Sequence, residues 1–172
     1  SYGTFLGATY AELFPKNVGR MTLDGAIDPK LTNEQMSYGQ AVGFDVALRR
    51  FVADCANQSD CPLSHNTDTG VSQVANMLDN LDSHPGKLQD GRQFTQAMAL
   101  TGVLGNLYSK QYGWPDLRSA LLTALDGDYE TLAASADFYT SRDSNGHYTD
   151  NGNEAIYAVN CLDRPDRATL AQ

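Results

Sequence analysis

Apolar residues recur at helical spacing almost from the start of the chain. Over 4–14 (Thr-Phe-Leu-Gly-Ala-Thr-Tyr-Ala-Glu-Leu-Phe), Phe5, Ala8, Thr9, Glu12 and Leu13 keep that spacing, and Pro15 stops the run. Gly7, Ala8 and Ala11 are small enough to let such a helix lie close to a sheet. Residues 20–23, Arg-Met-Thr-Leu, read as a short strand that Asp24-Gly25 breaks. Turn, helix and strand make half of a βαβ unit without its first strand. After Asp28-Pro29 the pattern changes. A long helix is predicted from Asn33 to Ala56, with Phe44, Val46, Ala47, Phe51 and Val52 on its apolar side, ended by the Cys55–Cys61 loop and Pro62. Further helices are predicted over 69–82, 91–110, 115–126 and 128–140, separated by breaks at 64–68 and 83–86. Residues 142–146 form a turn by composition. A last helix or extended run over 151–161 ends in Cys161. No internal repeat or low-complexity tract interrupts the series. The expected division is therefore α/β material over 1–30 followed by a mainly helical unit over 31–172.

Charge narrows the partners. With 12 basic and 21 acidic residues, the 172-residue chain has a formal net charge of −9. Phosphate backbones repel such a surface, which argues against nucleic acid. It suits a cationic ligand such as the free amino end of a peptide, although a plain acidic exterior would look the same. No stretch reaches the roughly 18 apolar residues of a membrane span. No basic segment followed by an apolar run opens the chain, so no signal peptide is read there.

Cys55 and Cys61 enclose the polar segment Ala-Asn-Gln-Ser-Asp, a spacing that can close a small disulfide loop. It does not fit the short gap of a zinc knuckle or thioredoxin site, and no second Cys/His pair completes a metal site. Cys161 is left over, either as a free thiol or for a partner elsewhere. A disulfide points to an oxidising compartment and export; three reduced, buried cysteines are the alternative.

Ser1-Tyr2-Gly3 matches the second half of a G-x-S-x-G elbow. In such an elbow the serine stands exposed on a tight strand-to-helix turn. The residue two positions later must be small because the helix folds back there, and Gly3 meets that need. The Tyr2 backbone N–H would point at a developing oxyanion, aided by the helix N-terminus. By itself Ser-x-Gly is a weak signal, and a serine N-cap would serve the same positions.

The run from Ser1 to Pro15, followed by Val18 to Pro29, resembles the nucleophile region of actinobacterial tripeptidyl aminopeptidase-like enzymes, exported α/β-hydrolases of the prolyl-aminopeptidase type. Three later segments resemble the same family's cap: Cys55 to Pro62, Ala136 to Tyr139 with Arg142 to Gly146, and Ala158 to Asp163. The resemblance implies an α/β-hydrolase fragment (nucleophile turn, helix, strand) followed by a mainly α-helical cap. It implies Ser1 as nucleophile, the Tyr2 N–H as oxyanion donor, a peptide substrate, and neither metal nor cofactor. It also implies an acid and a histidine that come after the cap. They are expected outside this chain, together with the rest of the sheet, so the 172 residues alone are expected to be inactive.

His65, His84 and His147 fall in predicted loops and are read as surface histidines rather than the base. An aminopeptidase needs a carboxylate for the substrate ammonium. Asp163, Asp143 and Glu154 are the candidates, each also explicable as a turn, cap or surface residue. Asp163 is preferred because a bridged Cys161 would hold it rigidly. Asp24 and Asp28 more simply fix the chain's exit into the cap. Tyr108, Tyr112, Trp114, Phe138 and Tyr139 would line an apolar pocket or pack in a helical core. Two other readings compete: an esterase or lipase on the same fold, and a catalytically inactive cap acting as a binding or lid module.

Overall fold

A computed structural model describes residues 2–164. Among the described residues there are seven α-helices and one two-stranded antiparallel hairpin. They fall into two compact units. One takes the residues up to Gln40 together with those from Ala158 on; the other is Ala41–Tyr157.

In the first unit, α1 (Tyr2–Leu13) is followed by a 3₁₀ turn at Pro15–Asn17. Thr4 is the buried residue of α1. Its hydroxyl donates to the Gly25 carbonyl (3.3 Å) and accepts from the Ile27 N–H (3.1 Å), which pins the Asp24-Gly25 turn to the helix. Gly25 has φ +63°, where a Cβ would be strained. At Gly7 a Cβ would sit 2.9 Å from Leu23 Cδ2 and 3.4 Å from Met21 Sδ, so this glycine lets the 20–23 segment cross close to the helix. That segment was expected as a strand, yet it has no ladder partner among the described residues. A strand exists only where a neighbour offers N–H and C=O groups. Thr32 and Gln35 form a reciprocal capping box, each N–H bonded to the other's side chain at 3.1 Å, and α2 (Asn33–Cys55) starts there.

The second unit holds the core. The end of α2 supplies Phe51, Val52 and Cys55. These pack with α3 (Thr67–Ser83), α4 (Gln96–Leu107), α5 (Gly113–Ala124) and α6 (Glu130–Tyr139) around Val74, Leu81, Val103, Leu117, Leu121 and Leu132. Each such side chain contributes roughly 1.5–3 kcal/mol on full burial. Asn66 and Thr95 cap α3 and α4 through bonds from the N–H groups of Thr69 (3.0 Å) and Met98 (3.3 Å). Cys55 and Cys61 are joined in a disulfide, closing the turn after α2 with Cα atoms 5.2 Å apart.

The predicted helix over 91–110 begins later than its pattern suggested. Residues before it form the hairpin β1 (Gly86–Lys87) and β2 (Gln93–Phe94), with Gly86 opposite Phe94 and Lys87 opposite Gln93. Gly91, at φ +88°, turns its tip. The last predicted run is a helix, α7 (Gly152–Asp163).

Candidate active site

The first turn of α1 is where the elbow motif would act. Ser1, the expected nucleophile, lies outside the described residues. Tyr2 opens α1, so its backbone N–H belongs to those a helix leaves without an intrahelical acceptor. Its ring is half-exposed and 6.0 Å from that of Phe5.

Asp163 ends α7 and is hydrogen-bonded to the Tyr2 hydroxyl. That bond raises the Tyr2 phenol above its ordinary value of 10.0; burial and the Asp163 charge add to the rise, and the Arg164 charge opposes it. Asp163 Oδ2 is buried and has no hydrogen-bond partner among the described residues. The next residue, Arg164, is buried at 6% exposure. Its guanidinium lies over the Phe5 ring, 4.5 Å from the centroid, and its Nε donates to the Leu31 carbonyl at 3.2 Å. Tyr2, Phe5, Asp163 and Arg164 therefore form one cluster at the start of α1. Sequence reasoning named Tyr2 and Asp163 but not Arg164. Burial of an arginine leaves no periodic mark.

Asp143 Oδ1 accepts from the N–H groups of Asn145 (2.9 Å) and His147 (2.8 Å), which builds the 143–147 turn. Glu154 is exposed in the first turn of α7. His65, His84 and His147 are all exposed. His147 Nδ1 lies 3.8 Å from Asp143 Oδ2, and His84 Nδ1 is 3.0 Å from its neighbour Ser83 Oγ. Cys161 is exposed and unbridged among the described residues. No group of three or more His, Cys, Asp or Glu side chains among those residues could hold a metal ion.

The aromatic candidates divide. Trp114 is in the core, edge-on to Phe51 at 5.9 Å. Tyr112, Phe138 and Tyr139 line a groove of about 490 Å³ among α4, α5 and α6, with Asn106 and Asp116. Tyr108 stacks on Tyr139 (6.1 Å) beside it.

A family model described as the alpha/beta hydrolase fold matches residues 1–163. The chain is 37% identical over 172 residues to serine protease Hip1 of Mycobacterium tuberculosis, a match covering 96% of this chain and 33% of that protein. It is 41% identical over 161 residues to carboxylesterase B of the same organism, covering 93% of this chain and 31% of that one. The chain thus spans about a third of the length of the curated relatives it matches. No helix among the described residues is long and apolar enough to cross a membrane.

Proposed function

Because the chain belongs to the alpha/beta hydrolase fold family, we propose that it carries the nucleophile turn and the cap of a serine hydrolase, with Ser1 as the attacking residue. The observation that carries this reading is the helix that opens directly at Tyr2, behind Ser1-Tyr2-Gly3, in a chain of that family. Ser1 Oγ attacks the substrate carbonyl while a histidine takes its proton. The oxyanion of the tetrahedral intermediate receives the Tyr2 N–H. Collapse expels the amine or alcohol with that proton, leaving an acyl-serine that water hydrolyses. The histidine and its acid partner come from the longer enzyme beyond these 172 residues, and the chain by itself is inactive. Residues 1–30 serve the hydrolase core and 31–172 its cap.

The substrate we favour is a peptide with a free N-terminus. Asp163 supports it, because its carboxylate stands beside Tyr2 with one oxygen unpartnered among the described residues, and a carboxylate suits an ammonium group. Asp143 is less suited, since its turn already occupies one oxygen. Glu154 stays a candidate only as an exposed carboxylate. The Cys55–Cys61 disulfide supports an exported enzyme of the cell envelope or medium.

In the full-length enzyme, Ser1→Ala should abolish labelling by a fluorophosphonate and lower kcat by about a thousandfold or more. Labelling at a different serine overturns the assignment. An esterase is the second reading, favoured by the 41% identity to a protein named carboxylesterase B. Comparing peptide amides with free and blocked N-termini against simple esters separates the two.

A further inference from the structure

An oxyanion donor works only when its N–H is held within a few tenths of an ångström of the productive position. The ties that fix the first turn of α1 therefore bear directly on the Tyr2 N–H. Thr4 supplies one tie, to Gly25 and Ile27. The other runs from the residue after α7.

A buried guanidinium is costly unless its charge and donors are satisfied. Arg164 meets part of that demand with groups in and around α1: its charge lies over the face of Phe5, one turn after Tyr2, and its Nε–H donates to the carbonyl of Leu31. Its own N–H donates to Asn160 O at 3.2 Å, which keeps it seated on the end of α7. Arginine suits the place because its plane can stack on a ring and donate from its edge at once. A lysine ammonium can donate or sit over a ring, but it has no plane that stacks while its edge donates.

We infer that Arg164 is a positioning residue for the nucleophile turn: stacked on Phe5 and bonded to Leu31, it fixes the first turn of α1 so that the Tyr2 N–H meets the developing oxyanion. This rests on the serine-hydrolase reading above. Arg164 itself does not touch substrate in this scheme. Losing it affects the chemical step, for peptide and ester alike, and leaves substrate binding in place.

The test uses the full-length enzyme with Arg164→Met, which keeps the stem but removes charge and donors. Expected are a kcat at least about tenfold lower on both a peptide amide and a simple ester, a KM within about twofold of wild type, and a parallel drop in the rate of fluorophosphonate labelling. Arg164→Lys should recover part of the loss. Phe5→Leu should lower kcat in the wild-type background and add little to Arg164→Met. A folded Arg164→Met enzyme with wild-type kcat and labelling rate overturns the inference. So does a loss confined to KM, which would make Arg164 a substrate contact. If Arg164→Met does not fold, Phe5→Leu decides alone, and a wild-type kcat there overturns it too. Failure of the wild-type enzyme to label at Ser1 is a separate result; it removes the serine-hydrolase reading, and the inference falls with it.

Discussion

Asp137 holds two arginines. Arg92 reaches it with both terminal nitrogens (2.9 and 2.7 Å), and Arg142 adds a third bond at 3.2 Å. Asp90 shares Arg92 through Nε at 2.6 Å, so two carboxylates balance two guanidinium groups. The bond to Asp137 comes first among the causes that hold Arg92 above its ordinary value. The side chains of Asp137 and Arg92 are only 20% and 29% exposed, which screens the pair less than a surface bridge. Asp137→Asn should therefore cost roughly 2–3 kcal/mol in urea unfolding, and Asp90→Asn, at the more exposed carboxylate, under about 1 kcal/mol. The Asp137 segment was visible as a motif before its role was. Aspartate followed by arginine five residues on looks like a helix end, and nothing local announces a partner 45 residues upstream in the hairpin.

Helices α4 and α6 approach closely at Gly102, where a Cβ would lie 2.5 Å from the Leu132 carbonyl oxygen and 3.0 Å from its Cδ1. Alanine favours a helix over glycine by roughly 1 kcal/mol, but a backbone carbonyl cannot move aside as a flexible side chain can. Gly102→Ala should therefore destabilise by about 1–3 kcal/mol in thermal or urea unfolding. Gly43, on an exposed face of α2 with nothing within 4 Å of its Cβ position, should respond with the opposite sign, gaining about 0.5–1 kcal/mol. Periodicity located the helices because each repeats its apolar face over several turns. It missed the hairpin because two-residue strands are too short to alternate. At 20–23 the short run ahead of the Asp24-Gly25 break read as a strand, whereas pairing depends on a neighbour that the local sequence does not specify.

For the molecule as a whole, the Cys55–Cys61 bridge ties the end of α2, with Cys55 fully buried, to the turn that leads into Leu63 and α3. Its short loop restricts the unfolded chain modestly. Reduction, or replacement of both cysteines by alanine, should cost about 2 kcal/mol, read as a lower Tm in calorimetry. The sequence by itself determined the order of the helices, the helical character after residue 30, the polar loop that the disulfide closes and the alpha/beta hydrolase family to which the chain belongs. These are local or inherited properties, set by periodicity, turn residues and motif spacing. Only the tertiary structure decided which residues meet. It brought Asp163 to Tyr2 and seated Arg164 on Phe5. It spent Asp143 on a turn and Trp114 on the core, and left Tyr112, Phe138 and Tyr139 along a groove. Burial and long-range contact arise from packing across distant segments, and no local pattern records them.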